Sequence, residues 1–251
     1  KIAWEKAGII KPVVPLMSGL QRLEALDVIR DRCAQQGAPL HVVGDDITVA
    51  AGAGGMFSVK TWRRRLDGLT VPLVGRHQRE NAATAIVRAE LFCECGFDIS
   101  DGDIRRGVAS VNWPGRIQTV AGSPEVIVDG AHNPASVTAL TDVLAALPKK
   151  KTILVFGVAS DKDVPSMLRL LAPHGDEFVF TRTGNPRAAA PEELKAMLAE
   201  IDPAKSARTL DAPADALEAA RRLATPGDRI CITGSMYLAG DVLTIIQKGA
   251  D

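Results

Sequence analysis

Short apolar runs and amphipathic stretches alternate regularly in the second half of the chain. Five strand–helix pairs are predicted there: 126–129 with 133–147, 152–156 with 164–172, 178–181 with 191–200, 207–210 with 214–224, and 229–233 with 236–247. Strands that alternate with helices in this way favour a parallel sheet with helices on both faces. The pattern therefore predicts an α/β, Rossmann-like domain with a mainly parallel sheet.

The first half of the chain has a less regular pattern. Strands are predicted at 13–17, 40–43, 46–50, 56–61 and 69–73, and helices at 22–36, at 81–95 and from Ser100 onward. Gly37 and Gly96 follow two of these helices, as is typical of helix ends. Asp103, three residues after Ser100, predicts a capping box. This half is expected to form a separate unit of mixed structure.

Polar loops follow the predicted strands of the second half. They comprise residues 129–134, 157–163, 181–187 and 233–235. In an open parallel sheet, ligands bind outside the carboxyl ends of the strands. We therefore expect a ligand site at this edge of the sheet.

Composition excludes several classes of protein. The chain has 251 residues with 30 basic and 30 acidic side chains, so its formal net charge is zero. A neutral chain provides no general field for nucleic acid, and no apolar run approaches the roughly 20 residues of a membrane span. The four cysteines lack metal-ligand spacing, which predicts reduced thiols in a cytoplasmic protein. The first residue is Lys1 rather than Met, so we expect a longer protein.

Four segments contain most of the candidate chemistry, and each has a plain structural interpretation. Lys6 could lie at a helix end, and Asn81 could be a helix N-cap. Arg116 could be an exposed residue of a plain turn, and Asp129 and Asn133 could be caps before Pro134 in a first helical turn. No Gly-x-x-x-x-Gly-Lys-Ser/Thr loop and no Gly-x-Gly-x-x-Gly fingerprint is present in the sequence.

The order of these segments is more specific than any one of them. Along the chain they are Glu5-Lys6-Ala7-Gly8-Ile9-Ile10-Lys11-Pro12, then His77-Gln78-x-x-Asn81-Ala82-Ala83, then Pro114-Gly115-Arg116, then Asp129-Gly130-Ala131-His132-Asn133-Pro134. Together they resemble the folylpolyglutamate synthases and bifunctional dihydrofolate synthases of the Mur ligase superfamily. Asp161-Lys162-Asp163 and Thr233-Gly234-Ser235 add to the resemblance.

The resemblance implies a domain organisation and an activity. Residues 1–112 would form the end of a Mur-ligase-type central ATPase domain, 113–116 a hinge, and 117–251 a Rossmann-like C-terminal ligase domain. Such enzymes use ATP and Mg²⁺ to add L-glutamate to folate, or to dihydropteroate, through an acyl phosphate. The family's phosphate-binding loop precedes the Lys6 segment, so these residues alone are expected to be inactive.

The resemblance also implies roles for single residues in ATP and metal binding. Lys6 matches a catalytic lysine that carbon dioxide converts to a carbamate, an oxygen ligand suited to Mg²⁺. Asn81 matches a residue that binds adenine, and Arg116 matches an arginine on the phosphates. Asp129 matches an aspartate that contacts the nucleotide.

Two further residues match positions near the incoming glutamate. His132 is implied as a catalytic and glutamate-binding residue, and Ser235 as a glutamate-binding residue. Two rival interpretations remain at this point: another Mur-type amino-acid ligase, acting on a muropeptide or cyanophycin, and a binding module without catalysis. The sequence contains no feature that indicates an oligomeric state.

Overall fold

The computed structural model describes residues 2–19 and 21–248, which fall into two compact units. The first unit comprises residues up to 72 together with 76–112, and the second comprises 73–75 together with the residues from 113 onward. The assignment of these units to an ATPase domain and a ligase domain stays a prediction. Among the described residues, no helix is both long and apolar enough to cross a membrane.

The second unit is a six-stranded sheet flanked by helices. Its elements are β6 (Gln118–Gly122), β7 (Glu125–Val128), α5 (Pro134–Ala146), β8 (Thr152–Phe156), α6 (Val164–Leu171), β9 (Glu177–Thr181), α7 (Pro191–Ile201), β10 (Ser206–Leu210), α8 (Pro213–Leu223), β11 (Arg229–Thr233) and α9 (Met236–Lys248). The strand order is β10-β9-β8-β11-β7-β6, and all neighbouring pairs are parallel except β6 with β7. The predicted fold class, with its mainly parallel sheet, is confirmed.

Alternate residues of the central strands face opposite layers of helices. Leu154 and Phe156 pack with α5, α6 and α7, whereas Ile153 and Val155 pack with α8 and α9. All four side chains are fully buried. Strands that are buried on both faces have apolar residues at successive positions, which explains why β8 reads as a continuous apolar run.

The first unit consists of two smaller sheets and their helices. Its elements are α1 (Ile2–Ala7), β1 (Leu16–Ser18), α2 (Leu23–Gln36), β2 (Leu40–Val42), β3 (Thr48–Ala51), β4 (Phe57–Lys60), β5 (Arg65–Leu69), α3 (Arg76–Glu94) and α4 (Asp101–Ala109). Strands β1 and β2 pair in parallel, and β3, β4 and β5 form an antiparallel sheet. Helix α3 packs on that sheet through Ala83, Ile86 and Val87.

Two cap predictions are confirmed. Gly37 adopts a left-handed conformation, with a φ of 60°, at the end of α2. Ser100 and Asp103 form the reciprocal capping box of α4, in which each side chain accepts a hydrogen bond from the backbone of the other.

Several predicted boundaries in the first unit are wrong. The first strand begins at Leu16 rather than residue 13, because Val13 lies in a turn with a φ of 55°. The strand predicted at 69–73 lies at Arg65–Leu69, where Leu66 and Leu69 face the core. Between them the β5 chain has an extra residue and Gly68 has a φ of 66°, so a bulge interrupts the simple alternation.

Two other elements differ from the expectation. Helix α3 begins at Arg76, five residues before the predicted start, so Asn81 lies inside the helix and is not its N-cap. Strand β6 was missed, because its residues Gln-Thr-Val-Ala-Gly have only a weak apolar alternation and a register shift interrupts their pairing with β7.

Candidate functional site

Three glycines allow the loops at the carboxyl ends of β7, β8 and β11 to approach one another closely. A Cβ atom on Gly130 would lie 2.0 Å from Sδ of Met236, and one on Gly234 would lie 2.6 Å from the carbonyl oxygen of Gly157. Gly157 itself lies against the backbone of Thr181. The loops are therefore densely packed at the edge of the sheet where the sequence predicts a ligand site.

Asp129 follows β7 and is almost entirely buried. Its Oδ2 accepts a hydrogen bond from the backbone N–H of Ile117 at 3.0 Å, and its Oδ1 accepts one from the N–H of Ala131 at 2.9 Å. The carboxylate thus connects the loop after β7 to the turn before β6. It does not cap a helix, and its predicted contact with a nucleotide stays a prediction.

Arg116 lies in that turn, between two residues with positive φ. The φ is 72° at Gly115 and 46° at Ile117. The carbonyl oxygen of Gly115 accepts a hydrogen bond from the N–H of Gly130 at 2.9 Å, and the N–H of Gly115 donates to Oε1 of Gln118 at 3.0 Å. Within residues 2–19 and 21–248, the half-buried Arg116 side chain has no hydrogen-bond or ion-pair partner, so its guanidinium is available to an anion.

His132 has a defined tautomer when it is neutral. Its Nδ1 lies 2.9 Å from the carbonyl oxygen of Gly130, which can only accept, so Nδ1 must carry the proton. The other ring nitrogen, Nε2, is then left with a free lone pair. The half-buried imidazole can therefore accept a proton or a hydrogen bond at Nε2.

The residues after His132 are helix caps, as one of the two interpretations of this loop predicts. Oδ1 of Asn133 accepts a hydrogen bond from the backbone N–H of Ser136 at 2.9 Å. In return, Oγ of Ser136 accepts a hydrogen bond from the backbone N–H of Asn133 at 3.2 Å. Pro134 occupies the first turn of α5. The N–H of His132 also donates to Ser136 Oγ, at 3.1 Å, so the same capping box orients the histidine backbone.

Ser235 immediately precedes α9 and is buried. Its Oγ accepts a hydrogen bond from the N–H of Tyr237 at 3.1 Å, and its carbonyl oxygen accepts one from the N–H of Ala239. The hydroxyl proton can still be donated to a ligand. The structure therefore gives Ser235 a role at the helix start, and its predicted role in binding glutamate stays a prediction.

Lys6 lies in the last turn of α1 in the first unit and is exposed. It borders a cavity of about 390 Å³ with mainly apolar walls, to which Ser18 and Gln21 add polar groups. The described residues contain no group of three or more His, Cys, Asp or Glu side chains that could hold a metal ion. A carbamate on Lys6 would contribute oxygen ligands, but these residues alone do not complete a Mg²⁺ site.

Asn81 lies one helical turn after His77 on α3. Its Nδ2 donates to Oε1 of Gln78 at 3.1 Å, and Nε2 of Gln78 lies 3.0 Å from Nε2 of His77. Gln78 is buried, whereas Asn81 is exposed. The sequence prediction assigned a role to Asn81 alone and missed Gln78, although Gln78 belongs to the same quoted motif and orients both neighbours.

The predicted site residues thus divide between the two units. Arg116, Asp129, His132 and Ser235 all lie in the second unit, in loops or helix starts that hydrogen bonds and glycine contacts connect at one edge of the sheet. Lys6 and Asn81 lie in the first unit, on different helices.

Known proteins resemble this chain in both sequence and fold. Residues 115–236 match the family described as Mur ligase, glutamate ligase domain. The chain is 31% identical to the dihydrofolate synthase/folylpolyglutamate synthase of Bacillus subtilis over 248 residues, which are 96% of this chain and 57% of that protein. It is 32% identical to the folylpolyglutamate synthase of Lacticaseibacillus casei, of which it covers 58%.

Solved structures give the same result. The E. coli FolC protein in complex with DHPP and ADP has a TM-score of 0.87 and 30% identity, and the match covers 100% of this chain and 57% of that one. The Mycobacterium tuberculosis folylpolyglutamate synthase complexed with ADP and AMPPCP has a TM-score of 0.88 and 30% identity, with 98% and 59% covered. The chain therefore spans somewhat more than half the length of each of these four relatives.

Proposed function

Because the chain belongs to the Mur ligase family, among the folylpolyglutamate and dihydrofolate synthases, we propose that the native-length protein is an ATP-dependent ligase that adds L-glutamate to folate. Dihydropteroate is the alternative acceptor. The observation that supports this proposal most strongly is the arrangement of Arg116, Asp129 and His132 at one edge of the sheet, within the region that matches the glutamate ligase domain.

The proposed reaction has two steps. A carboxylate oxygen of the acceptor attacks the γ-phosphorus of ATP, and the bond to ADP breaks to give an acyl phosphate. The amine of glutamate then attacks the acyl carbon and loses a proton, and inorganic phosphate leaves as the amide forms. Both steps move negative charge among phosphate oxygens, so fixed cationic groups stabilise them.

Arg116 and Asn81 are the proposed nucleotide-binding groups. The planar guanidinium of Arg116 can donate two parallel hydrogen bonds to phosphate oxygens. Asn81 can form paired hydrogen bonds with adenine through its amide, which Gln78 orients. Asp129 supports the Arg116 turn and is proposed to contribute to nucleotide binding.

His132 and Ser235 are the proposed glutamate-binding groups. Because the Nδ1–H group of His132 donates to the carbonyl oxygen of Gly130, Nε2 can accept a proton from the glutamate ammonium, which exposes the nucleophilic lone pair of the amine. The Ser235 hydroxyl can donate to a glutamate carboxylate. Both residues adjoin helix N-termini, where backbone N–H groups favour negative charge.

Mg²⁺ is the proposed metal, and Lys6, as its carbamate, is the proposed ligand from the described residues. A Yersinia pestis relative has been solved with AMPPNP and a Mn ion. A bound divalent cation would neutralise charge on the phosphates. The described residues do not complete a ligand set, so no step of the reaction is assigned to the metal. We further propose that the protein acts in the cytoplasm.

The experiment uses the native-length protein with ATP, L-glutamate and either folate or dihydropteroate. We expect ADP formation that depends on glutamate, together with a product heavier by one glutamyl residue in mass spectrometry. His132→Ala should abolish most of this activity, while His174→Ala, which changes a histidine in the short helical turn after α6, should retain it. ATP turnover without glutamate, or ligation of another amino acid only, would overturn the proposal.

A further inference from the structure

Another cavity of the first unit, the β3 cavity, lies between strand β3 and the first turns of α3. Its volume is about 390 Å³, which is within the range of small-molecule sites. The walls on the strand side are apolar and are formed by Val43, Ile47, Val49 and Ala51. Sites for small molecules typically combine such walls with a few polar groups that fix the orientation of the ligand.

The helix side of the β3 cavity is charged. Arg76, Arg79 and Glu80 border the cavity, and their spacing of three and four residues places them on one face of α3. Nε of Arg76 pairs with Oε1 of Glu80 at 3.1 Å, so these two charges compensate each other. The half-buried Arg79 has no hydrogen-bond or ion-pair partner within residues 2–19 and 21–248. One positive charge therefore remains uncompensated beside an apolar wall.

The chemistry of the β3 cavity favours a particular class of anion. A guanidinium group that is partly removed from water is costly unless an anion compensates it. The planar guanidinium of Arg79 can donate two parallel hydrogen bonds to a carboxylate. A doubly charged phosphate is less suitable, because the carboxylate of Glu80 borders the same cavity and would repel the additional charge.

We propose that the β3 cavity binds a small aromatic monocarboxylate. Its carboxylate pairs with Arg79, the Thr48 hydroxyl can donate to the same group, and the ring lies against Val49 and Ala51. The site is distinct from the proposed adenine contact of Asn81, which is two residues after Arg79 and therefore projects about 200° further around the helix. The inference goes beyond the proposed ligase function and does not depend on it.

Ligand-observed ¹⁹F NMR of the native-length protein with 4-fluorobenzoate tests the proposal. We expect saturable binding, and no binding of the uncharged 4-fluorobenzyl alcohol. Arg79→Met retains an apolar side chain of similar length but loses the charge, and it should weaken binding at least about tenfold. Arg79→Lys should restore part of the affinity. Absence of saturable binding, equal binding of the acid and the alcohol, or unchanged affinity in Arg79→Met would overturn the proposal.

Two further variants test the location of the site. Arg88→Met changes an exposed arginine of the same helix that does not border the cavity, and it should leave the affinity unchanged. Ala51→Phe places a large side chain at an exposed position of the apolar wall and should weaken binding. Equal losses in Arg88→Met and Arg79→Met would show a general effect of charge and would overturn the proposal. Thermal melts verify that each variant is folded.

Competition experiments separate this site from the proposed nucleotide site and test the class of anion. Saturating ADP should not displace 4-fluorobenzoate, whereas displacement would place the probe at the nucleotide site and overturn the inference. Benzoate should compete with the probe more strongly than inorganic phosphate does, and the reverse order would contradict a monocarboxylate site. Absence of ligase activity in the unaltered protein would contradict the proposed function alone, since binding of 4-fluorobenzoate is measured without turnover.

Discussion

A Cβ atom on Gly157 would lie 2.6 Å from the backbone carbonyl oxygen of Thr181. This contact joins the carboxyl ends of β8 and β9, and neither backbone can move without disturbing the sheet. Gly157→Ala should therefore destabilise the fold by about 1–3 kcal/mol, as overpacking does. Gly130→Ala should cost less, because it meets the flexible, partly exposed side chain of Met236. Thermal melts of both variants measure the difference.

Gly227→Ala is the control for these two substitutions, since nothing lies within 4 Å of the added Cβ atom. It should change the free energy of unfolding by less than about 0.5 kcal/mol. Equal destabilisation by Gly157→Ala and Gly227→Ala would show that Gly157 does not lie against the backbone of Thr181.

Glu90 gives the stability a defined dependence on pH. Its side chain on α3 is completely buried. Its Oε1 accepts one hydrogen bond from the Thr61 hydroxyl and pairs with Arg64, while Oε2 has no partner among the described residues. Burial raises the pKa of Glu90; the hydrogen bond from Thr61 and the charges of Arg64 and Arg63 oppose this rise, and Asp101 adds slightly to it.

A raised pKa in the folded state means that the folded protein holds the proton more tightly than the unfolded chain. The stabilisation due to Glu90 is therefore fully present below its ordinary pKa and is lost as pH rises through the raised value. We expect the stability of the native protein, minus that of Glu90→Gln, to fall as the pH rises above the ordinary pKa of a glutamate. Urea titrations at several pH values measure this difference, and a difference that increases with pH would contradict the assignment.

Arg116→Ala should reduce ATP use and turnover with little loss of stability. A surface arginine in a loop contributes less than about 0.5 kcal/mol to folding, whereas a lost charge-assisted phosphate contact costs about 1.5–3 kcal/mol of binding. Arg116→Lys should recover only part of kcat/KM, because an ammonium lacks the planar fork. Arg222→Ala, which changes an exposed arginine on α8, serves as the control. A sharp fall of the melting temperature with normal kinetics per folded molecule would show that Arg116 is structural.

Lys6→Ala should lower ligase activity in the native-length protein, and added formate or acetate should restore part of it. The physical reason is that a carbamate supplies anionic oxygen atoms, which a small carboxylate can replace. Lys11→Ala, in the same segment and also exposed, should have normal activity without added carboxylate. An unaffected rate in Lys6→Ala would indicate that Lys6 is only a helix-end residue.

The second unit could be predicted from sequence almost element by element, because strands buried on both faces are continuous apolar runs between amphipathic helices. The first unit was harder, since its strands are short and the Gly68 bulge and the neighbouring arginines hide the alternation of β5. The resemblance placed Arg116, Asp129, His132 and Ser235 among the candidates. Their contacts could not be read from the sequence, because Asp129 bonds to Ile117 through a backbone group and Gly130 meets Met236 only after folding.

Transfer of oxygen from the acceptor carboxylate to the released phosphate is the most direct test of the proposed acyl-phosphate reaction. The native-length protein is supplied with folate labelled with ¹⁸O in its side-chain carboxylates, together with ATP and L-glutamate, and the released phosphate is analysed by mass spectrometry. When the amine attacks the acyl carbon, phosphate leaves together with the carboxylate oxygen that attacked ATP. We therefore expect one labelled oxygen in each phosphate and one amide bond for each phosphate. Amide formation with unlabelled phosphate, or no glutamate-dependent phosphate release, would contradict it.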